Sequence, residues 1–261
     1  MNELRAIDRI DTGPRYGEAD AIRLNRMFRG SDTHEMLRAV IEDGIAGDLA
    51  VVSSFGAESA VLLHLIAEVD PSIPVFFLET GKHFPETLAY RDTLVERLGL
   101  TNLVNLYPDL AELELRDESG LRWSYDPDGC CEIRKVRPLA KALHGIDATF
   151  TGRKAFQSST RANLPRFEID TSDAEGRLKI NPLIDWTPEQ IDDWCEAHDL
   201  PRHPLVAQGY PSIGCSPCTH KVAPGEDPRS GRWKGWDKTE CGIHVPLGPD
   251  GELPPGYDPA F

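Results

Sequence analysis

Residues 49–69 read LAVVSSFGAESAVLLHLIAEV. A short apolar run ends at two serines and a glycine, and beyond them the apolar positions recur at helical spacing. This is the signature of a strand, a tight turn and a helix. The same unit returns downstream. IPVFFLET at 73–80 precedes the helical pattern of GKHFPETLAYRDTLVERLGL, and NLVNLYP at 102–108 and IDATFTG at 146–152 read as further strands, with the helix CEIRKVRPLAKALHG between them. Strands alternating with helices predict an α/β fold, a doubly wound and mostly parallel sheet covered on both faces. In such sheets ligands collect beyond the carboxyl ends of the strands.

After Gly152 the character changes. RKAFQSSTRANLPRF, 153–167, is basic and poor in large apolar residues, so it is expected to be a mobile loop over a ligand. FEIDTSDAEGRLKINPL reads as a hairpin turning at residues 174–176, and TPEQIDDWCEAHDLP as a helix capped by Thr187 with Pro188 in its first turn. From about residue 199 proline and glycine dominate. The chain is therefore expected to comprise a nucleotide-binding α/β domain over 1–198 and an irregular, cysteine-containing segment over 199–261, packed on the same domain.

Composition bounds the function. The 261 residues carry a net charge of −15, with 40% hydrophobic and 27% charged residues. Such a chain can bury a full core, and its acidity argues against nucleic-acid or anionic-membrane partners. The opening MNELRAIDRIDTGPRYGEAD contains no apolar run, so neither a secretory signal nor a membrane helix is expected, and the expected location is the cytoplasm. Basic residues nevertheless cluster at Arg134, Lys135 and Arg137, at Arg153, Lys154, Arg161 and Arg166, and at Arg229, Arg232, Lys234 and Lys238. Local basic groups on an acidic protein point to a small polyanionic ligand.

Four of the six cysteines fall in two tight groups, Cys130–Cys131 in DGCCEIRKVRPL and Cys215–Cys218 in IGCSPCTH. A disulfide between adjacent cysteines is strained, so the groups read as metal ligands. Zinc and an iron–sulfur cluster both accept four thiolates. The adjacent pair departs from the usual zinc spacing, which favours the iron–sulfur reading. Cys241, in KTECGIH, has Lys238 and His244 close in sequence, neighbours that favour the nucleophilic thiolate. Cys195 lies in the helix IDDWCEAHDL and reads as a packing residue. SSFGAES places Ser54, Gly56 and Ser59 where a strand enters a helix, a place for an anion. ETGKHFPE puts Thr80, Gly81, Lys82 and His83 at the same sheet edge, suited to ribose or phosphate.

Taken in order, SSFGAES, LETG, CCEIRKVRPL, TGRKAFQSSTR, INPLIDWT, GCSPCT and ECGIH resemble the assimilatory sulfonucleotide reductases, the adenylyl-sulfate and phosphoadenylyl-sulfate reductase family, from about residue 35 to 245. The resemblance implies an adenine nucleotide alpha hydrolase-like fold and a [4Fe-4S] cluster on Cys130, Cys131, Cys215 and Cys218. It implies Lys135 between cluster and substrate, Arg161, Arg229 and Arg232 on the phosphate and sulfate oxygens, and Cys241 as the catalytic nucleophile. It also implies thioredoxin, or a similar dithiol, as reductant; a homo-oligomer is compatible with it. The four cluster cysteines favour adenylyl sulfate over its 3'-phosphorylated form. Phe55, Ala57 and Glu58 depart from the SGGxDS loop of related ATP pyrophosphatases, which speaks against ATP cleavage. A non-catalytic iron–sulfur nucleotide sensor would not need Cys241, and a tRNA-thiolating enzyme would need an ATP loop and a basic RNA surface.

Overall fold

Along the strand Leu49–Val52 (β1), alternate residues serve different faces: Val51 enters the larger apolar core and Ala50 the smaller one beneath the sheet. Val75–Leu78 (β2) repeats this, sending Val75 and Phe77 to the first core and Phe76 to the second. A strand buried on both faces is the expected product of a continuous apolar run, and it fixes a layer of helices on each side. The computed structural model describes residues 15–157, 161–172, 176–238 and 240–243.

Six strands form one sheet in the order β3-β2-β1-β4-β6-β5, with β3 at Leu103–Leu106, β4 at Ala148–Thr151, β5 at Phe167–Ile169 and β6 at Leu178–Ile180. All neighbours pair in parallel except β5 and β6, the two arms of the expected hairpin. Its turn lies partly outside the described residues.

The chain runs outward from β1 to β2 and β3 through the helices Ser59–Ala67 (α3) and Pro85–Leu98 (α4), then returns past β1 to β4. Right-handed crossovers put the outward helices on one face and the returning helix on the other. Accordingly, α3 and α4 pack into the larger core with Glu18–Met27 (α1), Thr33–Glu42 (α2) and the late helix Pro188–Ala197 (α8). Leu139 and Leu143 cover the smaller one from the other side. The direction of winding reverses between β1 and β4, so their carboxyl ends diverge into a crevice.

The helix expected over CEIRKVRPLAKALHG differs in one respect. Pro127–Cys131 (α6) and Arg137–Ala142 (α7), which follow the short helix Leu110–Arg116 (α5), are joined by a π-helical turn at Glu132–Val136. Pro138 supplies no N–H and its ring crowds the carbonyl one turn back, so a wider turn absorbs the mismatch. Cys130, Cys131 and Lys135 all sit at this irregularity.

The helix α8 begins as the sequence indicates. Thr187 caps the Gln190 amide and the Gln190 side chain returns to the Thr187 amide. Thr187→Ala is expected to cost about 1 kcal/mol of stability, seen as a lower denaturation midpoint with unchanged cooperativity. Cys195 is buried in the core on this helix. No helix is long and apolar enough to cross a membrane among the described residues.

Candidate active site and cysteine quartet

The crevice between β1 and β4 opens into a cleft of about 490 Å³, walled by Ser53–Ser59 with Phe55 buried behind them, by Thr151–Lys154, and by Arg161, Arg229, Arg232, Glu240 and Cys241. The turn after β1 is set by Phe55, whose backbone adopts φ +46° while its ring is fully buried edge-on against Phe77 at 5.5 Å. A left-handed non-glycine residue costs about 1–3 kcal/mol; burying the ring offsets it and holds the Ser54–Gly56 backbone at the cleft. Ser59 closes the turn by donating its hydroxyl to the Gly56 carbonyl at 2.8 Å.

A second, small cavity abuts the cleft. Cys130, Cys131, Cys215 and Cys218 line it together, with Lys82, Arg134, Lys135, Trp123 and Trp233. Three of the thiols are buried, Cys218 is half-buried, and all four are free. The CxxC turn is fastened to the loop after β2: the Ser216 amide donates to the Lys82 carbonyl at 2.7 Å, and Thr80 Oγ1 lies 3.4 Å from Cys215 Sγ. Arg134 braces the opposite wall through a buried ion pair to Asp117 at 2.6 Å and a bond to the Thr80 carbonyl at 2.8 Å.

Burial dominates the thiol chemistry. It pushes Cys130 up to about 11, reinforced by the neighbouring Cys215, and Cys131 up to about 12 against the pull of Lys135 and Lys238. Burial also raises Cys218. At Cys215 burial is outweighed by Lys135, the Thr80 hydroxyl and Arg232, which hold this thiol below its ordinary value. Lys135 lines both cavities. Burial works against its charge, yet Cys215, Cys131 and Cys241 together hold the ammonium above the usual lysine range. One lysine thus links the quartet electrostatically to Cys241.

The cleft cations are organised by a carboxylate. Glu240 bridges Arg161 at 2.7 Å and Arg229 at 3.2 Å, directly beside Cys241 in sequence. Burial, followed by the neighbouring Arg161 and Arg232, lowers the Arg229 pKa despite Glu240. Arg232 stacks on the Trp233 ring at 4.3 Å. It passes over Gly214, where any side chain would strike the guanidinium. Beyond Cys241, Gly242 turns at φ +80° and Ile243 packs onto the smaller core, anchoring the Cys241 segment.

The phosphoadenosine phosphosulfate reductase domain matches residues 48–221, which include Ser53–Ser59, Thr151–Lys154 and Arg161 of the cleft and all four quartet cysteines, while Arg229, Arg232, Glu240 and Cys241 follow it. The chain belongs to this family. Within the phosphosulfate reductases it is 48% identical over 241 residues to an adenosine 5'-phosphosulfate reductase of Mesorhizobium japonicum, covering 92% of this chain and 93% of that protein. It is 49% identical over 238 residues to one from a Chelativorans species, covering 89% and 94%. In three dimensions it resembles the crystal structure of phosphoadenylyl-sulfate reductase from Candida auris in a phosphate complex, with a TM-score of 0.68, 24% identity, and coverage of 80% of this chain and 100% of that one. That likeness is one of fold, and it agrees with the doubly wound sheet read from the sequence.

For a phosphosulfate reductase, most of the expected site residues meet. Ser54, Gly56, Ser59, Lys135, Arg161, Arg229, Arg232 and Cys241 line one cleft, and the cysteine quartet adjoins it. Thr80 and Gly81 do not line it: Thr80 is fully buried against Cys215, and Gly81 is exposed on the outside of that loop beside Arg134. Their side of the loop belongs to the quartet because the Arg134 anchor pulls it there. His244 lies outside the described residues, as does part of the 153–167 loop. The basic clusters divide: Arg134 pairs with Asp117, Arg137 with Glu132 and Glu112, Arg153 with Glu168, and Arg166 with Asp185.

Sequence reasoning missed Glu240 as the arginine bridge, and also the pair of buried Lys154 with half-buried Glu58 at 3.0 Å, which Gln157 joins at 2.7 Å. That pair ties the loop after β4 to the start of α3. His83 is half-buried, its Nε2 lies 2.8 Å from the Leu78 carbonyl, and its Nδ1 reaches no partner among the described residues. His83 lines the cleft, but that nitrogen itself is buried behind its wall.

Proposed function

We propose that the chain reduces adenosine 5'-phosphosulfate to sulfite and AMP in sulfate assimilation, with Cys241 as the nucleophile and thioredoxin or a similar dithiol as the electron donor. The names and identities of the relatives support the substrate. The observation that carries the chemistry is the convergence of Cys241 with Lys135, Arg161, Arg229 and Arg232 on a cleft at the switch point of the sheet.

In this reading the Cys241 thiolate attacks the sulfur of the sulfonucleotide. The S–O bond to the phosphate breaks, AMP leaves with that electron pair, and a sulfonate remains on Cys241. A thiolate of the dithiol then attacks the Cys241 sulfur, sulfite departs, and the mixed disulfide is resolved by the second thiol, leaving the dithiol oxidised. Negative charge accumulates on the leaving phosphate and the sulfate oxygens, so cationic donors placed beforehand lower the barrier. Lys135 and the three arginines are suited to that task, and the small residues of 53–59 let the backbone approach the nucleotide.

The donor set of the quartet fits a [4Fe-4S] cluster: four free thiols converge on one small cavity with three cations on its walls to balance thiolate charge. Cys130, Cys131, Cys215 and Cys218 would hold it, and when bound it would fix the CxxC turn against the π-helical turn and bias the local field. The residues then act around it: Lys135 carries positive charge between quartet and nucleophile, while Arg134 and Thr80 hold the two walls in register.

Glu240 pairs with Arg161 and Arg229 and holds the adjacent Cys241 close to them. Substrate anions compete with it for the same donors. Glu240→Gln is therefore expected to lower KM about threefold to tenfold, equivalent to about 1 kcal/mol, and to lower kcat because Cys241 loses its tether. Steady-state kinetics with a rise in KM would remove the competitor role.

The decisive assay is sulfite release by anaerobically purified protein with adenosine 5'-phosphosulfate or its 3'-phosphorylated form, thioredoxin being supplied. Turnover on the first supports the reading; preference for the second changes the substrate and keeps the thiol chemistry. Silence on both from protein carrying its cluster would overturn it.

A further inference from the structure

The far end of α3 carries a second group of ligating side chains that the sulfonucleotide chemistry does not use. Ser59 at the start of this helix faces the cleft; Glu68 lies about 13 Å further along the axis at the helical rise. His64 and Glu68 are four positions apart and so share one helix face. His198 enters from the carboxyl end of α8, its ring centroid 4.5 Å from that of His64. From the first turn of α2, His34 Nε2 reaches Glu68 Oε2 at 2.9 Å. One atom each from His64, Glu68 and His198 lies within 4.8 Å of the others.

These separations suit a cation. A tetrahedral ion with bonds of about 2.0–2.1 Å holds its donors roughly 3.3 Å apart, and His64 Nδ1 stands 3.4 Å from Glu68 Oε2. A simple salt-bridge cluster explains the group less well. One carboxylate would need one protonated imidazole, whereas here two approach it and a third lies against them, so additional protons would repel one another. A single divalent ion satisfies all of these donors while leaving the imidazoles neutral. The rings are also preset: Trp194 stacks on His198 with centroids 4.2 Å apart and packs edge-on to His64 and His34.

We propose that His64, Glu68 and His198 bind one divalent transition-metal ion, of which zinc best matches two imidazoles and a carboxylate, with His34 orienting the Glu68 carboxylate from outside. Water fills the remaining position. The donor set contains no thiolate and lies on α3 and α8, so it is separate from the cysteine quartet. An ion there clamps α8 to α3, on the face of the sheet that carries the larger core. The long contact of 3.4 Å from Trp194 Nε1 to His64 Nδ1 gives way when that nitrogen takes the metal.

The test is equilibrium dialysis of the cluster-loaded protein against zinc, with metal analysis beside Glu68→Gln, His198→Gln, His34→Gln and Cys241→Ser. Wild-type protein is expected to bind one zinc that Glu68→Gln and His198→Gln weaken more than about 100-fold and His34→Gln about 10-fold. Cys241→Ser should retain it, and zinc should raise the melting midpoint of the wild type and not of His198→Gln. Equal binding by wild type and Glu68→Gln, or loss in Cys241→Ser, overturns the proposal. Should the ligand variants misfold, nickel quenching of tryptophan fluorescence decides: quenching that disappears in Trp194→Phe supports an ion at this place, and quenching unchanged in that variant rejects it.

Discussion

Cys241→Ser is expected to abolish sulfite release, a loss of about 10⁴-fold or more, while cluster content and AMP binding stay at wild-type levels. Serine keeps the size of the side chain and its place beside Glu240, but its hydroxyl is a far weaker nucleophile at neutral pH than a thiolate. Removing the nucleophile of a covalent mechanism typically costs most of the rate enhancement. The companion measurement is mass spectrometry after mixing with adenosine 5'-phosphosulfate and no reductant: the wild type should carry one sulfonate on Cys241 and the variant none. Residual turnover within tenfold of wild type, or a sulfonate found elsewhere, would move the nucleophile to another residue.

Arg229→Ala is expected to lower kcat/KM by about 30-fold to several thousand-fold, the 2–5 kcal/mol that follows from breaking a desolvated charge pair. Arg229 is half-buried, shares Glu240 with Arg161, and lies on the cleft wall. Its removal leaves the substrate oxygens with fewer donors and Glu240 with Arg161 alone, so the penalty falls on both binding and turnover. Arg229→Lys should recover only part of the loss, because an ammonium lacks the planar fork that meets two oxygens at once. Steady-state kinetics on the three proteins measures this; loss of less than threefold in Arg229→Ala would take the residue out of the reaction.

How much of this was legible beforehand depends on the range of the interactions. Strand, turn and helix at 49–69 are local consequences of apolar periodicity, and β1, α3 and α8 appear where the sequence puts them. The quartet was legible because thiols at close spacing have few other uses. The π-helical turn was not, since a helical pattern with one proline is compatible with a kink, a break or a wider turn until packing selects among them. The basic clusters misled in part: counting cations does not reveal that Arg134, Arg137 and Arg166 are matched by carboxylates away from the cleft, or that Arg153 on the cleft wall is held by Glu168, whereas Lys135, Arg161, Arg229 and Arg232 gather at the cleft around Glu240 and Cys241.

Sequence alone determined the class of fold, the identity of the four clustered cysteines and the resemblance to sulfonucleotide reductases, because each rests on residue type and near-neighbour spacing. Tertiary structure decided which groups share a cavity. Thr80 went to Cys215 and away from the cleft, Glu240 became the bridge between two arginines, and histidines from three helices gathered around Glu68. Such pairings are set by how the sheet twists and which helix face meets it, and a linear pattern of residues carries no record of either.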